Sequence, residues 1–308
     1  MKQSFCCLPR LAAACAMLVA CRPVPAIAQN ASPPAPAPSH SAGSTASGDV
    51  LLDSAINRLQ HHSSVSARVR LRVRLFGHEL FGTGRYLQKG SGGERQVRFE
   101  LSIPTSATPN VMISVSNGRQ WWRYLETLDN QQLTVVDLTA VRAAAADARA
   151  EGLSTFSHAT APGGLSQTLQ RLQDNFQFAS ASQTTQADRT FWVTRGRWKT
   201  DRLQQLIAPT EKEQVSKLFR QLSGRLPREV VLYLYDDSLF PAKIEYVGSA
   251  PATASNTQQP TFSAIEFFQI HFGPVLDESH FQRPRDMISE DVTDRYVKDM
   301  GLAKTRSR

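Results

Sequence analysis

Val65-Ser66-Ala67-Arg68-Val69-Arg70-Leu71-Arg72-Val73-Arg74-Leu75 is the stretch that decides the fold. Its odd positions are apolar throughout, and its even positions are Ser66 followed by four arginines. Side chains of an extended chain alternate between two faces, so this pattern predicts a long strand with one dry and one wet side. The dry side needs a cover of other apolar groups. The stripe of Arg68, Arg70, Arg72 and Arg74 reads as a solvated face that discourages edge pairing, with a lipid-phosphate or partner-binding surface as the sharper alternative.

More strands follow it. Phe81 to Gln88 is the next, with Gly82 and Gly84 marking a bend or a close approach, and Lys89 to Gly93 is a turn. Val97, Phe99, Leu101 and Ile103 alternate with polar residues in a third. Val111–Ser116 and Gln120–Leu125 flank Asn117-Gly118, a strong hairpin signal, and Leu133–Leu138 continues the meander. Further strands are expected at Thr190–Trp198, Glu229–Tyr235, Ala242–Val247 and Phe262–Phe272. Asp236-Asp237, followed by Ser238 and Pro241, is turn chemistry between two of these rather than a catalytic carboxylate pair.

Helical periodicity appears at Val50–His61, where Leu52, Ala55, Ile56 and Leu59 make one stripe. It returns in two inserts. Thr139–Ala150 is followed by a stripe of Leu165, Leu169, Leu172 and Phe176. Thr200–Leu222 is broken at Pro209 and restarted by the capping box of Thr210 and Glu213, burying Val215, Leu218, Phe219 and Leu222. A polar helix is expected from Ser289 to Met300. Consecutive strands with tight turns imply an antiparallel sheet, and helices gathered in inserts imply a lid over one face. The fold class is α+β.

The N-terminus reads as an export signal over residues 1–28. Lys2 and Arg10 precede the apolar Leu11–Ala20, and Ala26-Ile27-Ala28 forms a cleavage site. Leu18-Val19-Ala20-Cys21 overlaps it as a lipobox, with Cys21 as the residue that would be lipidated. Residues 29–49, rich in Pro, Ser and Ala, read as a disordered linker. Residues 50–286 form the folded domain, and 287–308 a C-terminal helix and tail. Both readings of the leader place the protein outside the cytoplasm, in the periplasm or cell envelope.

At 41% hydrophobic residues the chain is too apolar for a disordered protein, and no apolar run after the leader is long enough for a membrane-spanning helix. All four cysteines fall in the leader, which excludes a disulfide scaffold. The leader also holds three of the 35 basic residues and none of the 27 acidic ones, so the net charge of +8 shrinks in the body. A mild basic excess outside the cytoplasm points to an anionic membrane surface or an envelope partner protein before nucleic acid, for which no motif is present. There is no nucleophile elbow, zinc-binding His pair or phosphate loop, and the seven histidines are scattered. The sequence therefore predicts no catalytic residue, no metal and no cofactor, in a monomer.

Apolar supply is what stands out. Val69, Leu71, Val73, Leu75, Phe99, Leu101, Val115 and Val135 are assigned to one dry face, with Trp121 joining them because Trp121 and Trp122 point to opposite sides. Such a face is either filled by helices or left as a cavity of about 300 Å³ or more for an acyl chain. Composition does not separate the two.

Three passages carry a resemblance. They are Leu51–Gln88, then Ile113–Tyr124 running into Leu133–Leu138, and last Pro274-Val275-Leu276-Asp277-Glu278-Ser279-His280-Phe281-Gln282-Arg283-Pro284. In order and spacing they resemble the outer-membrane lipoprotein carriers and receptors of the LolA/LolB type and the related N-terminal domain of RseB-like regulators. The resemblance implies a strongly curved, unclosed half-barrel under a helical lid, holding the acyl chains of a lipid or lipoprotein without catalysis. The same fold used as a protein-interaction surface, in a sensor, regulator or assembly module, is the alternative. The helical pair at Thr200–Leu222 and the C-terminal helix depart from the compact carriers, and the carriers' lid arginine has no assigned position here.

Cleavage after Ala28 and lipidation at Cys21 have different consequences. If Ala28 is the cleavage point, Cys21→Ser leaves the protein's distribution unchanged and the mature chain begins at Gln29. If the lipobox is used, the same variant is released from membranes and the wild-type mass includes acyl groups. Fractionation with intact-mass measurement checks this.

Overall fold

The computed structural model describes residues 45–75, 78–105, 108–148, 162–207, 226–248, 261–283 and 287–300. In chain order these form β1 (Thr45–Ala46), α1 (Gly48–His61), β2 (Ser64–Leu75), β3 (His78–Lys89), β4 (Gln96–Ile103), β5 (Asn110–Ser116), β6 (Gln120–Thr127) and β7 (Asn130–Asp137). Next come α2 (Leu138–Ala148), α3 (Gly164–Asn175), β8 (Phe176–Phe178), β9 (Ala181–Gln186), β10 (Arg189–Trp198) and α4 (Thr200–Ile207). The last elements are β11 (Glu229–Tyr235), β12 (Pro241–Val247), β13 (Thr261–Phe272), β14 (Glu290–Asp291) and α5 (Thr293–Asp299). The leader, the linker up to residue 44 and the second half of the expected helical pair at 208–225 lie outside the described residues.

All the strands belong to one sheet, ordered β1-β9-β10-β11-β12-β13-β2-β3-β4-β5-β6-β7-β14, with β8 also on β10. Its two ends do not pair, so the sheet is curved and unclosed, and every pairing is antiparallel except β7 with β14. The long alternating strand sits in the middle, hydrogen-bonded to β3 on one side and to β13 on the other. Its register follows the sequence pattern. Val65, Ala67 and Val69 are buried on the inner face, while Arg68, Arg70 and Arg74 are exposed on the outer one.

Two helices cover that inner face. The α1 stripe of Leu52, Ala55, Ile56 and Leu59 is buried against Leu165, Leu169 and Leu172 of α3 and against the strands below. Removing such a side chain from water is worth roughly 1.5–3 kcal/mol, so the stripe fixes the helix on the sheet. Polar contacts tie both helices down. The Gln88 amide donates to the Leu59 carbonyl at the end of α1, and the Leu165 N–H donates to the Tyr86 hydroxyl at the start of α3.

The cover differs from the expected pair of inserts. The N-terminal helix is half of it, and α2 sits instead beside β6 and β7, where Leu138 and Val141 pack with Trp121, Val136 and Tyr296. Phe176 leaves the helical stripe: its N–H bonds the Leu172 carbonyl, closing α3, and its side chain enters the core from β8. The strand Ala-Ser-Gln-Thr-Thr-Gln of β9 carries no apolar alternation, and its pairing with β10, and over two residues with β1, makes it a strand. β1 and the first residues of α1 lie in the stretch assigned to the linker. The C-terminal helix is shorter than expected, because Asp291 accepts from the Thr293 N–H and hydroxyl and starts the helix there.

The bend at Gly84 is a backbone contact. A Cβ built at that position would lie 1.8 Å from the Glu100 carbonyl oxygen of the neighbouring strand. No rotamer relieves such a clash, so a side chain must push β3 and β4 apart. Gly84→Ala is expected to lower stability by about 1–3 kcal/mol or more, whereas Gly92→Ala, where a Cβ meets nothing within 4 Å, costs only the strain of its positive φ. Chemical denaturation of both variants measures the difference.

Candidate functional site

Burial on the inner face falls off along the central strand. Val65 and Val69 are fully buried beneath α1 and α3, but Leu71 and Val73, farther along, are half-buried. The register carries this open region across the sheet. Leu71 pairs with Gly82 and Ile265, Leu101 with Met112, and Met112 with Leu125. Leu80 and Leu125 at its margin are exposed, each by almost two-fifths. The result is an apolar surface continuous with the core and, among the described residues, uncovered by helix.

Within it lies a groove of about 120 Å³, walled chiefly by Leu71, Phe99, Leu101, Met112, Trp121 and Ile265. Ser114, Ser263, Tyr246 and Arg123 complete its lining. The Trp121 indole N–H donates to the Ser114 hydroxyl at 2.7 Å, which fixes the ring as one wall. The Arg123 guanidinium lies 5.3 Å from that ring, so the cation sits over the aromatic surface at the mouth. Burial pushes the Tyr246 phenol well above its ordinary range and keeps it neutral. The enclosed volume is smaller than the 300 Å³ or more that a preformed acyl cavity was expected to show.

The structure brings together Leu71, Phe99, Leu101 and Trp121 in this groove, with Val73 beyond it and Val69 beneath the helices. The side chain of Leu75 lies outside the described residues. Val115 and Val135 are elsewhere. They face the opposite side of the sheet, packed with Leu87, Trp122 and Leu133 around Phe281. The reason is a change of pattern. In β5 and β7 the apolar positions Ile113, Val115, Leu133 and Val135 share the face of the arginines, whereas Met112, Ser114 and Ser116 point inward. The closing passage, residues 274–283, makes this second apolar face possible by crossing it as a strap. The Arg98 guanidinium donates to the His280 carbonyl at 2.7 Å, and Lys89 donates to that of Leu276 at 3.2 Å.

The basic stripe is partly engaged on the same outer face. Arg70 is 3.5 Å from Glu266 and lies over the Phe268 ring, and Arg72 is 3.6 Å from Glu245. Arg68 and Arg74 are exposed. Farther across the sheet, Arg85 and Arg98 both donate to the Glu100 carboxylate. Met112, Ile265 and Tyr246 were not read as site residues. Ile265 was visible as an apolar position in its strand, but its meeting with Leu71 depends on a pairing between distant parts of the chain.

No protein-family model and no curated protein matches the chain. Among solved structures it is similar to a LolA superfamily protein of Nitrosomonas europaea, at 12% identity and a TM-score of 0.29 over 77% of this chain and 98% of that one. It is also similar to a domain of Vibrio parahaemolyticus named for outer-membrane lipoprotein sorting, at 12% identity and 0.33 over 76% and 96%. A third is the MucA/MucB complex of Pseudomonas aeruginosa, at 11% identity and 0.38 over 77% and 60%. The LolA type that the sequence resembles is thus met among its structural likenesses. These are distant, and the assignment of an open, lidded half-barrel stands on the sheet's own pairings.

The Glu100 cluster makes a pH prediction. Burial alone would raise this carboxyl, but hydrogen bonds and charge from Arg85 and Arg98 outweigh it and hold the group below its ordinary 4.5. A carboxyl lowered by folding stabilises the protein fully above its unfolded value and loses that contribution as pH falls through the folded one. Glu100→Gln is expected to cost roughly 1.5–3 kcal/mol at pH 7 and to flatten the loss of stability below about pH 4.5. Urea unfolding across that range checks both.

Proposed function

We propose that the chain is an exported cell-envelope protein that binds the acyl chain of a lipid or lipoprotein on the open part of the inner face, as a carrier and without catalysis. The observation that carries this reading is the apolar surface from Leu71 across Leu101 and Met112 to Leu80 and Leu125, uncovered among the described residues. Apolar area left in water at the edge of a core is removed when a chain is laid on it. The leader in the sequence and the resemblance to lipoprotein carriers agree with an envelope location. The small groove means that a chain lies along the open face and widens the space beside Trp121 as it enters. The same small volume supports a second reading, in which an apolar side chain of a partner protein docks there and the module senses, regulates or assembles.

An environment-sensitive fatty-acid probe is expected to bind saturably and to be displaced by phospholipid. Ile265→Glu, in the wall of the groove, should weaken binding at least tenfold, because the acyl chain would desolvate a carboxylate. Val115→Ala on the opposite face should lower stability by an amount on the order of 2 kcal/mol while leaving probe affinity unchanged. Probe binding that survives Ile265→Glu and fails in a folded Val115→Ala protein would place the site on the wrong face. Displacement by an apolar peptide but by no lipid would favour the partner reading.

A further inference from the structure

Arg95 is 94% withdrawn from solvent, since only 6% of its surface is exposed, and among the described residues it forms no ion pair. One guanidinium nitrogen donates to the Ser166 hydroxyl, a neutral partner, and the other two, both buried, find no acceptor among the described residues. Burial pushes the group down from its ordinary value, which is the mark of a charge short of compensation. An unpaired buried cation is costly, and native structures keep few of them without a purpose.

Its surroundings say what the purpose is. Arg95 lines a cavity of about 490 Å³ between the turn at Gly92–Gly93, α2 and the first turns of α3. Arg142 and Arg171 line the same cavity, and among the described residues Asp174 is its one acidic residue. Arg142 is held by the backbone carbonyls of Gly93 and Gly118, at 3.3 and 2.8 Å, which orients the guanidinium without neutralising it. Among the described residues neither Arg142 nor Arg171 has an ion pair. Gly163, the residue that caps the start of α3, also borders the space and brings the positive end of a helix dipole near it. Three arginines and the residues leading into a helix thus line one cavity of mixed polar and apolar character.

We propose that this cavity binds an oxyanion, a phosphate or carboxylate group, on Arg95 with Arg142 and Arg171 around it. Arginine matches such groups by shape, offering paired N–H donors in a plane. The cavity neighbours the apolar groove. Ser116, in its wall, pairs with Trp121, the wall of the groove, and the Trp121 ring packs edge-on to Tyr296 on the cavity side at 5.4 Å. An amphiphile therefore has room for its charged end on one side of Trp121 and its chain on the other. The oxyanion site does not depend on the groove being filled, and a free anion meets the same donors.

The test is calorimetric titration and thermal unfolding of the purified protein with inorganic phosphate and, separately, dihexanoyl phosphatidic acid. Saturable binding is expected, with a rise in Tm that fades at high salt. Arg95→Gln and Arg142→Gln should each weaken it at least tenfold, while Arg189→Gln, a change of equal charge elsewhere on the sheet, should alter it less than twofold. Arg95→Met supplies a readout that a structural role would not give. Without anion it should unfold at or above the wild-type temperature, because an uncompensated charge has been replaced by an apolar chain, yet it should show no response to phosphate. Response to both probes identifies the anion itself as sufficient, and response to the lipid alone identifies a headgroup joined to its chain. No response to either probe overturns the proposal, as does binding that is intact in both Arg142→Gln and Arg171→Gln, whether or not the Arg95 variants fold.

Discussion

The pairing of β2 with β13 is the constraint on which the rest of the structure depends. It joins partners as far apart in the chain as Val65 and Phe272, and it welds the strands of the N-terminal half to those of the C-terminal half as one sheet. Without it, each half would present an edge of unpaired backbone groups along its longest strand. With it, Leu71 stands beside Ile265 and Val69 beside Phe267, and the inner face becomes a continuous apolar floor. The helices α1 and α3 then have a surface to bury against.

Two faces of one sheet do different work. The inner face is covered near Val65 and, among the described residues, open near Leu71, which leaves apolar area in water. The outer face begins as a ladder of arginines and carboxylates at β2, β12 and β13 and turns apolar at β5 and β7, where the strap around Phe281 covers it. Cross-strand pairs such as Arg72 with Glu245 add little stability one by one, since surface ion pairs are screened and entropically expensive. They keep the outer face of the central strands charged, so no second sheet packs there.

Much of this was legible in the sequence, because local periodicity reports which side of a strand is dry. The alternation at Val65–Leu75, the α1 stripe, the Asn117-Gly118 hairpin and the turn at Asp236-Asp237 all appear where the residues placed them. The misplacement of Val115 and Val135 has a physical cause. Periodicity gives the dry side of each strand but not how that side is oriented relative to its neighbours, which only register determines. Pooling all apolar residues on one face assumed that every strand was dry on the same side. The polar β9 was illegible for a related reason, as its conformation comes from β10 and not from its own residues. Arg95 stood in the sequence as one arginine among many. Its burial depends on Ser166 and Tyr86, brought to it by folding.

The distance along the chain between β2 and β13 has a further consequence, for the order of events in folding. A chain made from its N-terminus has β2 and β3 available as a local hairpin long before β13 exists, and closing so large a loop is slow. Through that interval one edge of β2 is unpaired, and a long strand with an apolar face and a bare edge is what aggregates. The arginines at 68, 70, 72 and 74 flank every apolar residue of the exposed stretch with like charge, so two waiting copies repel each other along their whole length. When β13 arrives it brings Glu266, and β12 brings Glu245, to two of those arginines. The charges that keep nascent copies apart thus become part of the key that admits the correct strand.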